Sequence, residues 1–103
     1  MDKNAVIAKL REHRDELSAV GVEHISIFGS VARGDNTPDS DLDVLVTFSN
    51  PVLNSGFGYF SAIEDVRERV KAITGLSAVD VLPEPVQRET TRRNIERDRA
   101  VAF

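Results

Sequence analysis

The stretch FGSVARGDNTPDSDLDVLV, Phe28 to Val46, sets a glycine-serine step against two aspartates one residue apart, with a polar loop between them. It follows VEHISIF, rich in β-branched and aromatic residues, which reads as a strand over residues 22–28 that ends at Gly29. DLDVLVTF, residues 41–48, reads as the next strand. Strand residues two apart share a face, so Asp41 and Asp43 project together while Leu42, Val44 and Val46 turn to a core. Two like charges within roughly 7 Å repel each other, and a divalent cation makes the pair favourable. Mg²⁺ suits it, because that ion takes one or two carboxylates and completes its shell with phosphate oxygens and water. At the other end of the loop, Gly29 lets a ligand approach the backbone, and Ser30 offers a hydroxyl and an N–H at the start of a short helical turn. A metal pair beside a phosphate seat describes a nucleoside triphosphate site. Arg33 is placed either to steady the phosphates or to pair with a nearby acid.

The rest of the chain reads as a coarse α/β order. Val6, Ile7, Leu10 and Leu17 share a helical face over residues 3–20, with Gly21 as the stop. SNPVLNSGFG, residues 49–58, has the composition of a loop. Phe60, Ile63, Val66, Val70 and Ile73 then recur at helical spacing, giving a second helix from Tyr59 to Thr74 that Gly75 breaks. SAVDVL is a third short strand, and residues 83–103 read as a charged terminal helix. Its arginines, Arg88, Arg92, Arg93, Arg97 and Arg99, are interleaved with Glu89, Glu96 and Asp98, the pattern of a salt-bridged, solvated face, with a partner-binding or nucleotide-contacting role for Arg92 or Arg93 as the alternative. Phe57, Tyr59 and Phe60 are expected to cap the core beneath the loop, with an adenine-stacking aromatic as the alternative, and His24 is expected to be structural.

Composition narrows the function. The chain has 103 residues, 41% hydrophobic and 29% charged, which fits a single domain spanning residues 1–103. No run is apolar enough to cross a bilayer, and the charged N-terminus does not read as a signal peptide, so a cytoplasmic location is expected. Without cysteine, and with only His13 and His24, neither flanked by a second histidine, a zinc site is not expected and any metal is held by oxygen. A net charge of −4 argues against direct nucleic-acid binding.

A Gly-Ser step alone is usually a turn, and Asp-X-Asp alone is often a solvated strand edge or a cap. Their spacing around residues 31–40 is what distinguishes them here. GSVARGDNTPDSDLDVLV resembles the signature of the DNA polymerase β-like nucleotidyltransferases, and in particular that of the minimal nucleotidyltransferases found as antitoxins beside HEPN-domain toxins. The likeness runs from HISIFGS to NIERDRAVAF. It implies a small mixed β-sheet flanked by helices, with Gly29 and Ser30 at the triphosphate and Asp41 and Asp43 at the metal. It also implies a third catalytic and metal-binding carboxylate on a later strand, and Asp80 in AVDVL is the residue of that character.

The same resemblance implies a Mg²⁺-dependent protein adenylyltransferase. Such an enzyme moves AMP from ATP to a hydroxyl, typically of a tyrosine, on a cognate HEPN ribonuclease, and so silences it. Two other readings stand beside this one. The chain could be a non-catalytic antitoxin that occludes its toxin, or the nucleotide-binding subunit of a small-molecule nucleotidyltransferase. An acidic cluster in an otherwise apolar strand favours the enzyme, since a plain binding module has no need of it.

Overall fold

The computed structural model describes residues 2–37, 39–54, 56–84, 86 and 88–103, apart from the side chains of Leu53 and Phe57. In chain order the elements are α1 (Lys3–Glu12), α2 (Arg14–Ala19), β1 (Val22–Phe28), α3 (Gly29–Arg33), β2 (Leu42–Phe48), α4 (Asn50–Leu53), α5 (Phe57–Thr74), β3 (Val79–Pro83), α6 (Glu89–Asp98) and β4 (Ala100–Val101). The strands form one mixed sheet in the order β3-β2-β1-β4. β1 runs antiparallel to β2 and β4, while β2 and β3 are parallel. The β2–β3 crossover carries α4 and α5, as a parallel connection requires.

The alternation read from the sequence sets the two faces. Ile27 pairs with Val44 and Ile25 with Val46, and all four are fully buried. With Leu42, Phe48 and Val79 they pack against Val6 and Leu10 of α1, Leu17 of α2, and Val66 and Val70 of α5. Each such side chain contributes roughly 1.5–3 kcal/mol on leaving water, so this face holds most of the apolar stabilisation. A bulge between Val22 and His24 shifts the register of β1, which lets Val22 join the same face as Ile25 although the two are three residues apart. The opposite face carries Ser26, Phe28, Asp43, Leu45 and Asp80, and Ile95 of α6 is buried outside the main core cluster.

The structure departs from the sequence reading in several places. The first helix is interrupted at His13, whose backbone (φ −102°, ψ 21°) ends α1 and starts α2. Leu10 and Leu17 are both fully buried across the break, so the shared apolar face survives it. β2 begins at Leu42, which leaves Asp41 just outside the strand. The loop after β2 contains the single-turn α4, with Pro51 in its first turn, a position that tolerates the missing N–H. The terminal segment is not helical throughout. After α6 it becomes β4, which pairs with Ser26 and Ile27, and Ala102 N–H donates to the Ile25 carbonyl at 2.9 Å. Arg11 Nε donates to the Ala102 carbonyl, tying α1 to this strand.

Of the three aromatics expected to cap the core, Tyr59 does so, edge-on to Phe48 at 5.9 Å. Phe60 does not; it is 66% exposed. Tyr59 takes the inward position, and the helix turns its neighbour about 100° away. Phe57's side chain lies outside the described residues.

Candidate active site

One rung of the sheet holds the site together. Asp43 pairs with Phe28 on one side and with Asp80 on the other. Adjacent strands lie about 4.8 Å apart, so the two carboxylates stand on neighbouring strands of the same face. Gly29, the residue after Phe28, meets this rung directly. Its φ is +77°, and a Cβ built on it would collide with the Asp43 carboxylate oxygen Oδ2. The glycine-serine corner and Asp43 are therefore in contact, although residues 31–40 and more separate them in the chain.

Burial is the largest influence raising the pKa of Asp43, followed by the charges of Asp80 and Asp41; Arg33 opposes them. A half-buried carboxylate facing two others is the electrostatic setting that a cation relieves. Asp41 and Asp80 are both exposed. Among the described residues, no three His, Cys, Asp or Glu side chains converge into a ready metal cage. That is compatible with Mg²⁺, which relies on substrate phosphates and water for much of its shell. The oxygen-only donor set and the repulsion centred on Asp43 thus fit a hard divalent cation.

α3 begins at Gly29 and is capped by Gly34, whose φ of +82° closes the turn while its N–H donates to the Ser30 carbonyl at 3.0 Å. Ser30 is part-buried in this turn, next to the glycine that abuts Asp43. Arg33 adopts the acid-pairing alternative. Its Nη1 donates to Asp98 at 2.9 Å and its Nε to Asp35 at 3.1 Å. Asp98, 5% exposed, also accepts from Arg97 at 3.0 Å, and the Arg97 bond followed by the Arg33 bond holds its carboxyl below the usual range. Arg99 Nε donates to the buried Ser26 hydroxyl at 2.9 Å. Asp98 and Arg99 thus tie α6 to α3 and to β1. Sequence reading placed both on a solvated helix face. Nothing local marks them, because their partners lie 65 and 73 residues away.

The shift at Asp43 has a measurable sign. A raised native pKa means the folded chain keeps this proton to higher pH than the unfolded chain does. Stability therefore falls as pH rises from the ordinary aspartate range through the raised value, and the loss persists above it. Asp43→Asn carries no such charge. In the absence of divalent cations, the variant is expected to melt above the parent near neutral pH, with the difference shrinking as the pH is lowered. Melting curves across that range check it; a variant that melts lower throughout contradicts it.

Residues 7–102 match the family model described as a nucleotidyltransferase domain, and the chain belongs to that family. It is an enzyme of the minimal nucleotidyltransferase class with the polymerase β-like fold. The chain is 30% identical over 90 residues to a Methanocaldococcus jannaschii protein named "putative protein adenylyltransferase", covering 86% of each. A second protein of that organism with the same description is 43% identical over 44 residues, 42% of this chain and 45% of its own. A solved structure described as a "putative minimal nucleotidyltransferase" superposes with a TM-score of 0.70 at 25% identity, covering 97% of this chain and 95% of that one. A toxin-antitoxin crystal structure with AMP-PNP superposes with a TM-score of 0.64 over 100% of this chain and 73% of that one; at 17% identity it speaks to the fold. Among the described residues, no helix is long and apolar enough to cross a membrane.

Proposed function

We propose that the protein is a Mg²⁺-dependent protein adenylyltransferase, transferring AMP from ATP to a tyrosine hydroxyl of a cognate HEPN ribonuclease toxin and acting as its antitoxin. The observation that carries this reading is the Asp43–Asp80 rung pressed against Gly29. It puts a cation-attracting pair of carboxylates beside a corner that a phosphate can approach. The names of the relatives support the protein as acceptor, and the toxin-antitoxin neighbour supports the setting. A single domain working in the cytoplasm, without direct nucleic-acid binding, fits the same reading.

Asp41 and Asp43, with Asp80, are the residues that would hold Mg²⁺, which when bound neutralises the charge of the triphosphate. The chain's own residues do the rest. Gly29 lets the backbone reach the phosphates, and Ser30 supplies a hydroxyl and an N–H to an anionic oxygen. Arg33, held by Asp35 and Asp98, contributes positive charge that acts on Asp43. Asp80 accepts the proton of the attacking hydroxyl.

Asp80→Asn tests the division of labour. Asp80 is exposed, so the fold should survive. The nucleotide's own metal would rest chiefly on Asp41 and Asp43, so nucleotide binding and the Mg²⁺ that accompanies it are expected to be largely kept, while turnover falls by at least about a hundredfold for loss of a positioned base. Calorimetry and a radiolabel transfer assay read the two halves separately. Near-normal turnover would place the base elsewhere.

A further inference from the structure

One step beyond Asp43 on the same face of β2 lies Leu45, 2% exposed, and its register partner on β3 is Leu82, which follows Asp80 by the same step. Two strand residues span roughly 6.5–7 Å, so this is the rung next to the carboxylates. α6 crosses here. Between the helix and the strands is a cavity of about 200 Å³ lined by the apolar Leu45, Val86 and Ile95. Two arginines, Arg92 and Arg99, and two glutamates, Glu84 and Glu96, complete the lining and balance in charge. None of Asp41, Asp43 and Asp80 lines it; the cavity adjoins them. The end of α6 is fixed beside it by bonds from Arg99 to buried Ser26 at 2.9 Å and to Glu84 at 3.4 Å, and from Asp98 to Arg33.

We propose that this cavity seats the acceptor side chain, a protein-borne phenol, with its ring against Val86, above a floor of the buried Leu45 and Ile95, and its hydroxyl toward the Asp43–Asp80 rung. The inference rests on the adenylyl-transfer reading and names where the acceptor binds. Pockets for drug-sized ligands run to roughly 300–1,000 Å³, so a smaller cavity matches one aromatic side chain better than a nucleoside. A cavity that joins apolar to charged lining suits a tyrosine, since one end of that side chain is apolar and the other wet. A charge-balanced lining suits a neutral ring, and an arginine in that lining adds attraction to its face. Arg92 is exposed and is one of the residues that line the cavity. In the transfer, the phenolic oxygen bonds to the α-phosphorus and the bond to the bridging oxygen breaks. The electron pair leaves with pyrophosphate, and the phenolic proton passes to Asp80.

The test is a methyl NMR titration of the full chain, with Mg²⁺ and a non-hydrolysable ATP analogue present, using N-acetyl-tyrosinamide as the probe. Saturable shifts are expected at the methyls of Leu45, Val86 and Ile95, with none from N-acetyl-serinamide. Val86→Trp, which fills the cavity, should abolish them. Arg92→Ala, at an exposed position, should weaken binding severalfold without risk to the fold. In transfer assays on the toxin, both variants should raise the acceptor KM, at least tenfold for Val86→Trp, with the ATP KM unchanged. Absence of shifts at these methyls, or an unchanged acceptor KM in both variants, overturns the proposal. So does occupation of the cavity by the ATP analogue itself, which would make it a base site. If the parent chain labels no protein at all, the adenylyl-transfer reading fails, and the titration still reports on the cavity.

Discussion

Asp43→Asn should abolish transfer of labelled AMP while leaving the protein folded. Asp43 is the carboxylate against which the rest of the site is arranged. It is half-buried, opposes Asp80 across β2 and β3, and abuts Gly29. Its side chain lies on the face away from Val44 and Leu42, so removing the charge disturbs no core contact. What disappears is an anionic ligand at the position where a cation would be held most strongly, and phosphoryl transfer depends on such charge neutralisation. Asp41→Asn should weaken transfer in the same direction. Asp41 is exposed and lies one residue before the strand, so its geometry is less constrained, and its single variant is expected to retain more activity. The double variant should show no transfer above background in a radiolabel assay. Retained labelling by purified, folded double variant would contradict the enzymatic reading.

Gly29→Val is the second large effect, and Gly34 supplies its control. Both glycines have positive φ, +77° and +82°, so a side chain at either costs on the order of 1–3 kcal/mol of backbone strain. Their surroundings differ. A Cβ at Gly29 runs into the Asp43 carboxylate, while one at Gly34 meets nothing within 4 Å. Gly34→Ala should therefore lower stability and leave nucleotide affinity nearly intact. Gly29→Val should lower stability and also displace Asp43, weakening nucleotide binding by at least about tenfold, or ~1.4 kcal/mol. Equal losses of affinity in the two variants would mean that the corner acts only as a turn.

Much of this site was legible because a strand's period of two leaves little freedom. Once Leu42, Val44 and Val46 are assigned to the core, Asp43 must face away. The same parity sets Val79 inward and Asp80 outward on β3. That the two aspartates share a rung is a matter of interstrand register, which no local pattern reports. The contact between Gly29 and Asp43 is tertiary in the same way.

The misses have physical causes. β4 has two residues, too few to show alternation, and it follows a charged helix whose pattern masks it. Phe60 matches the helical spacing of Ile63 and Val66, yet periodicity gives an angle and not the extent of the layer beneath, and Tyr59 is the residue that reaches Phe48. Arg33 was readable as a phosphate ligand or an acid partner, and the choice depended on Asp98, which arrives from the far end of the chain.

The most direct test of the central claim is the intact mass and ribonuclease activity of the cognate HEPN toxin after incubation with this protein, ATP and Mg²⁺, measured once the two proteins have been separated. Covalent silencing predicts a toxin heavier by one or more AMP units that stays inactive alone, with neither change when the Asp41→Asn, Asp43→Asn variant replaces the parent. A toxin of unchanged mass whose activity returns on separation would contradict the account and leave neutralisation by contact in its place.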